Sequence, residues 1–179
     1  MVMKLLFYRQ LPVVSKPVAG PMNIRISIQD AAFDTGKEIT ALQIAGVGGV
    51  SVFVGVVRDI NDDAAVSGLF LEHYPGMTEK QIEAIIREAM SRWDIKSATV
   101  IHRVGQLTPS DEIVFVGAAS AHRSDAFDAC EYIIDYLKTR ATFWKKETVG
   151  EGDRWLQTRD SDIKTAEEWN AKPDPLESD

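Results

Sequence analysis

Ala98-Thr-Val-Ile-His-Arg-Val-Gly-Gln-Leu107, Thr108-Pro-Ser-Asp111 and Glu112-Ile-Val-Phe-Val-Gly-Ala-Ala-Ser120 form the stretch on which the fold turns. Two runs rich in β-branched residues flank four residues whose Pro and Asp suit a tight turn, which predicts a hairpin of strands over 98–107 and 112–120. Directly after it, Phe127, Cys130, Ile134 and Leu137 recur at helical spacing, so a helix is expected over 124–139 with those residues on its apolar stripe. Upstream, Ile82, Ile85, Ile86, Ala89, Met90 and Trp93 mark the clearest helix in the chain, and Thr78 with Gln81 three residues on resembles a capping box at its start. Before that helix, Asn61-Asp62-Asp63 reads as a turn and 66–74 as a returning strand. Residues 50–58 alternate with apolar side chains on both sides, so this strand is expected to be covered on both faces and to deliver Arg58 to its end. A strand over 23–28 and a short helix over 37–45, ended by Gly46, precede it. On the C-terminal side a hairpin over 142–149 and 154–158 surrounds Gly150-Glu151-Gly152-Asp153, and a short polar helix is expected over 162–170. Strands that pair in hairpins and also alternate with helices predict a two-layer α/β domain with a mixed or antiparallel sheet.

The chain has 179 residues, 45% hydrophobic and 26% charged, which fits one compact domain with a real core. Its net charge of −7 provides no overall field to draw nucleic acid or anionic lipid, so any anion site must be local. Cys130 is the only cysteine, which rules out an intramolecular disulfide and fits a reducing, cytoplasmic setting. No apolar run approaches the roughly 20 residues of a membrane span. Up to Gln29 there is no acidic residue, and Pro12, Pro17 and Pro21 oppose a helix, so residues 1–21 read as a flexible arm.

The densest basic cluster, Lys138-Thr-Arg140-Ala-Thr-Phe-Trp-Lys145-Lys146, stands out in an acidic chain. It reads either as a local anion site or as helix C-terminal cations followed by a solvated strand face. His122-Arg123 is a second candidate, because free N–H groups where a helix begins would add to its attraction for an anion. An unbroken helix places Lys138 about 21 Å from that dipeptide. Either the two are separate sites, or a two-fold dimer brings His122 and Arg123 of one subunit to Lys138 and Lys145 of the other. His102-Arg103 reads as a structural pair within its strand, and His73 as a turn-shaping residue. The three histidines lack zinc-ligand spacing, and Gly46-Val-Gly-Gly49 lacks the Lys-Ser/Thr of a phosphate-binding loop. Cys130, on a buried stripe, reads as an inert packing thiol.

Leu71-Glu-His-Tyr-Pro-Gly-Met77, Val100-Ile-His-Arg-Val-Gly105, Ser120-Ala-His-Arg-Ser124 and Asp135-Tyr-Leu-Lys-Thr-Arg-Ala-Thr-Phe-Trp-Lys145 occur in that order, and together they resemble the catalytic (large) subunit family of molybdopterin synthase. The resemblance covers roughly residues 22–162, leaving 163–179 as a short helix and a loose acidic tail. It implies an α/β hammerhead fold with an added small antiparallel sheet. It also implies a homodimer with a small ubiquitin-like sulfur-carrier subunit at each end, a heterotetramer in which the carrier's C-terminal Gly-Gly thiocarboxylate threads into a pocket of the large subunit. The implied reaction converts cyclic pyranopterin monophosphate to the dithiolene molybdopterin by two sulfur transfers. No cofactor or metal is implied, since sulfur arrives on the partner. By the same resemblance Lys138 and Lys145 are catalytic, and Arg58 holds phosphate and pterin together with His122 and Arg123 from the other subunit. Arg159 joins that anion pocket, Val56, Val57, Lys146 and Glu147 form its wall, and Phe53 and Ile134 line the carrier-tail tunnel. Val56 stands where many members carry a cation, and Ile134 where Met is frequent. The alternative is a non-catalytic protein of the same fold that binds a phospho-ligand or the carrier tail without turnover.

Overall fold

The computed structural model of the protein describes residues 23–61, 64–150 and 152–172. The arm expected over 1–21, most of the expected tail and Asp62-Asp63 of the expected turn lie outside the described residues. In chain order the elements are β1 (Asn23–Gln29), α1 (Thr35–Leu42), β2 (Gly49–Val56), β3 (Ile60–Asn61), β4 (Ala64–His73), α2 (Met77–Arg92), β5 (Ile95–Arg103), β6 (Gly105–Leu107), β7 (Glu112–Ser120), α3 (Arg123–Arg140), β8 (Phe143–Val149), β9 (Gly152–Leu156) and α4 (Asp160–Ala171). The first sheet has the order β1-β5-β7-β2, with β1 and β5 parallel and the other pairs antiparallel. The second is antiparallel in the order β3-β4-β8-β9, and β6 joins it by pairing with β4. This is the expected two-layer α/β class with an added small antiparallel sheet.

Period-2 alternation in the central hairpin sorts its side chains between two helical layers. Val100, Val116 and Ala118 face α2 and α3, where Ile82, Ile85, Ile86, Ala129, Tyr132 and Ile133 close over them in the main core. Ile101, Phe115 and Ala119 face the opposite way, onto Leu42 of α1. β2 lies under α1 on one side through Val50, Val52 and Val54. Its other side is only partly covered, since Phe53 remains 38% exposed.

The strand expected over 98–107 is two strands. Gly105 sits at φ 81°, a left-handed conformation that only glycine adopts without strain, so the first sheet's strand ends at Arg103. β6 then crosses to pair with β4 in the second sheet. Of the stripe expected on α3, Cys130 and Leu137 are buried and Ile134 packs against the main core, but Phe127 is 60% exposed; Ala126, Ala129, Tyr132, Ile133 and Tyr136 are buried in addition, so the buried face is rotated away from Phe127. The buried set has the same i, i+3, i+4 spacing, and its small members let the helix approach β2 and β7 closely. The bulk of Phe127 is what makes the other face look like the core in a linear reading.

The start of α2 differs too. The Gly76 N–H donates to the Glu79 carboxylate at 2.6 Å, so the reciprocal bond of the cap comes from Glu79. Thr78 and Gln81 instead stitch α2 to the approach of β8. The Thr78 hydroxyl donates to the Thr142 carbonyl at 3.1 Å, and the Thr142 N–H donates to the Gln81 side chain at 2.9 Å. α4 begins two residues before its expected start, so a division at residue 162 falls in its first turn. Ala166 and Trp169 of α4 belong to the main core. The Trp169 ring lies edge-on to Trp93 and Tyr132 at 5.7 and 5.5 Å, and its indole N–H donates to Asp135 at 2.9 Å.

Candidate active site

At the end of β2 its pairing with β7 slips between Gly55 and Val56, the extra residue, Ile113, lying on β7. Beyond it the Val57 N–H donates to the Asp111 carbonyl and the Val57 carbonyl accepts from Ser110, both at 2.9 Å. These bonds tie the chain to the 108–111 turn and deliver Val56, Val57 and Arg58 to the rim of a cavity of about 310 Å³. Alternation along β8 turns Phe143, Lys145 and Glu147 into the same cavity. The last turn of α3 adds Lys138, the segment after β9 adds Arg159, and the first turn of α4 adds Asp162. A second chamber of about 390 Å³ adjoins the first, sharing Val56, Arg58, Lys138 and Lys145 with it, and is lined further by Phe53, Ile134 and His102.

The charges are arranged unequally. Lys138 donates to Asp162 at 3.4 Å. Burial, reinforced by the nearby Lys138 ammonium, pushes the Lys145 amine below the ordinary lysine range, with Asp162 pulling the other way. Glu147 is buried and accepts from Asn61 at 2.7 Å and from Arg154 at 3.1 Å. Asn61 in turn accepts from Arg159 at 2.7 Å, so Glu147 anchors a chain of polar contacts that aims Arg159. His102 is 5% exposed and stacks on Phe143 with ring centroids 3.8 Å apart. Burial, with Lys145 and His73 adding to it, holds its imidazole down at about 3, so the ring is neutral. Four cations, Arg58, Lys138, Lys145 and Arg159, thus surround a space that suits an anion, and one of them gives up its proton more readily than an ordinary lysine.

Of the residues singled out from sequence, Val56, Val57, Arg58, Lys138, Lys145, Glu147 and Arg159 meet at the first chamber, and Phe53 and Ile134 at the second. His122 and Arg123 do not meet them within one chain. They are exposed at the start of α3, with Arg123 about 22 Å of helix from Lys138. Lys146 points to the opposite face of the small sheet, where its ammonium pairs with Asp153 at 2.8 Å over the rings of Phe70 and Trp155. Three members escaped the sequence reading. Asn61 looked like a turn residue and His102 like a structural strand residue, and Asp162 was only the expected start of a short polar helix; only their burial or their neighbours set them apart. Burial raises the Cys130 thiol above its ordinary range, which agrees with a packing role. Among the described residues no group of three His, Cys, Asp or Glu could hold a metal ion, and no helix is long and apolar enough to cross a membrane.

The comparisons with known proteins converge. The family described as MoaE protein matches residues 28–140. A relative from Pseudomonas aeruginosa, named molybdopterin synthase catalytic subunit, is 56% identical over 146 residues, covering 80% of this chain and 97% of its own. The solved structure of a molybdopterin biosynthesis MoaE protein from Burkholderia ambifaria MC40-6 is similar with TM-score 0.71 and 45% identity, covering 83% of this chain and 99% of that one. The crystal structure of molybdopterin synthase from Staphylococcus aureus is similar with TM-score 0.69 and 32% identity, over 74% of this chain and 96% of that one.

Proposed function

The chain belongs to the MoaE protein family of molybdopterin synthase catalytic subunits, and from that premise we propose that it is a sulfurtransferase. In this reading it moves two sulfur atoms from a thiocarboxylated ubiquitin-like carrier onto cyclic pyranopterin monophosphate, opening the cyclic phosphate and leaving the dithiolene. The observation that carries the reading is the junction of the two chambers at Lys138 and Lys145. One chamber is polar and cationic, as a phosphorylated pterin requires. The other is mostly apolar, with Phe53 and Ile134 in its wall, as a threaded peptide tail requires.

The chemistry divides among this chain's own groups. Arg58 and Arg159 hold the phosphate. Lys138 and Lys145 orient the thiocarboxylate and move protons around the attacked carbons, a task for which the lowered proton affinity of Lys145 suits it. Sulfur comes in on the carrier, so no cofactor or metal is part of this scheme, and Cys130, buried with its thiol 3.6 Å from the Val116 carbonyl, does not serve as donor. The active assembly is a homodimer in the cytoplasm, carrying one carrier subunit at each end. His122 and Arg123 complete the anion pocket of the opposite subunit, which accounts for their distance from Lys138 within one chain.

The test is reconstitution: purified protein, a thiocarboxylated carrier and cyclic pyranopterin monophosphate, with the dithiolene product read through its fluorescent oxidation derivative. Lys138→Ala is expected to lower product at least about 100-fold while carrier binding persists. No product from folded, carrier-bound wild type would exclude the enzyme and leave the non-catalytic binder.

A further inference from the structure

The second chamber is apolar apart from four side chains, Arg58, His102, Lys138 and Lys145. The three cations only donate hydrogen bonds, so an anion satisfies them. His102 is of the other kind. Its Nδ1 lies 2.8 Å from the Arg103 carbonyl oxygen. A carbonyl can only accept, so Nδ1 carries the proton and the neutral ring leaves Nε2 as a bare acceptor. The stack on Phe143, with the two planes 17° apart, holds the ring in that orientation. Nε2 itself has no hydrogen-bond partner among the described residues. The side chains of this chamber therefore call for a ligand that is anionic at one end and carries a single N–H donor close to that charge. A peptide C-terminus has this pattern: the amide nitrogen of the last residue is two covalent bonds from the terminal carbonyl carbon, about 2.5 Å away.

Resting on the carrier-fed reading above, we propose that His102 is a binding residue for the carrier tail, its Nε2 accepting the last peptide N–H while Arg58, Lys138 and Lys145 face the charged terminus. A fixed acceptor of this sort registers the tail along its length: one residue too deep or too shallow, and the N–H is left unpaired in an apolar chamber. Because the imidazole stays neutral, it adds no fourth positive charge beside Lys145.

The experiment is a binding cycle. A ubiquitin-like carrier ending in Gly-Gly is made by peptide ligation with either glycine or N-methylglycine as its last residue, and its affinity is measured for wild type, His102→Phe and His102→Gln. In wild type the methyl group is expected to weaken binding about tenfold, the loss of one buried hydrogen bond. In His102→Phe, which keeps the stack, the unmodified carrier binds more weakly and methylation changes little more. His102→Gln, whose side-chain oxygen is an acceptor, retains part of the discrimination. In parallel, the 15N shift of the His102 Nε2 in wild type should move toward that of a hydrogen-bonded nitrogen when the unmodified carrier is added, a readout that needs no variant to fold. An equal methylation penalty in wild type and His102→Phe, or an unmoved Nε2 resonance, overturns the role of His102 while leaving the carrier reading intact. If wild type does not bind the unmodified carrier, both fall.

Discussion

Lys145 shows how one position in a strand acquires chemistry from two other elements. Burial and the Lys138 ammonium on α3 disfavour its charge, and Asp162 on α4 favours it. Replacing Asp162 with Asn removes the favourable partner, so the Lys145 amine should lose its proton at lower pH still. The limb of the pH profile of kcat/KM that reports this group is then expected to move toward lower pH, and an unmoved limb would show that Asp162 does not govern it. His102 carries the complementary prediction, for stability. Its ordinary value is 6.5 and burial holds it at about 3, so between those pH values the unfolded chain binds a proton that the folded chain refuses. Stability is therefore lost as pH falls through that window, by at most about 1.4 kcal/mol per pH unit. Urea unfolding of His102→Phe between pH 7 and 4 should show a shallower acid loss than wild type; the same slope in both would mean that another group causes it. Lys138 and Lys145 could be picked out in the sequence because they lie in a dense basic cluster of an acidic chain and in a familiar motif, and Arg58 and Arg159 because the resemblance assigns them to an anion pocket. Asn61 and Asp162 could not, since their roles come from partners 86 and 24 residues away.

Elements inherit their position from packing that local pattern reports imperfectly. The strands of the central hairpin were legible because alternation is a property of the backbone itself. The face that α3 buries was legible only in part, through Cys130, Ile134 and Leu137, because two overlapping stripes both satisfy helical periodicity, and the choice between them depends on how closely the helix approaches the sheet. α4 makes the point energetically. Its polar composition suggests an appendage, yet Trp169 is 3% exposed among Trp93 and Tyr132. Trp169→Ala should cost about 3–5 kcal/mol in chemical denaturation. Because α4 also carries Asp162, turnover per folded molecule should change in the same variant. A loss below about 1 kcal/mol would mean that α4 is not docked as described.

Across the whole molecule, the two sheets and α3 together define a site that one chain leaves incomplete if His122 and Arg123 act where the family resemblance puts them. Most of the length of α3, about 22 Å, separates them from Lys138, too far for one small substrate to touch both ends. Two inactive variants, Lys138→Ala and Arg123→Ala, should therefore restore activity when co-expressed. A mixed dimer has one site with both changes and one with neither, so random pairing gives about a quarter of wild-type turnover. A mixture as inactive as its components would overturn the sharing of Arg123 and Lys138 across the dimer. The sequence by itself determined the α/β class, the central hairpin, the helix that follows it, the family and most of the cationic side chains. These depend on backbone periodicity, on turn chemistry and on motifs contiguous in the chain, all of which act over a few residues. Only the tertiary structure decided that β6 leaves the first sheet at Gly105, that Lys146 faces away from Lys145, that α4 belongs to the core, and that His102 ends with a bare Nε2 at the second chamber. Each of those depends on which surfaces meet, and burial and hydrogen-bond partnership between distant residues exist only once the chain has closed on itself.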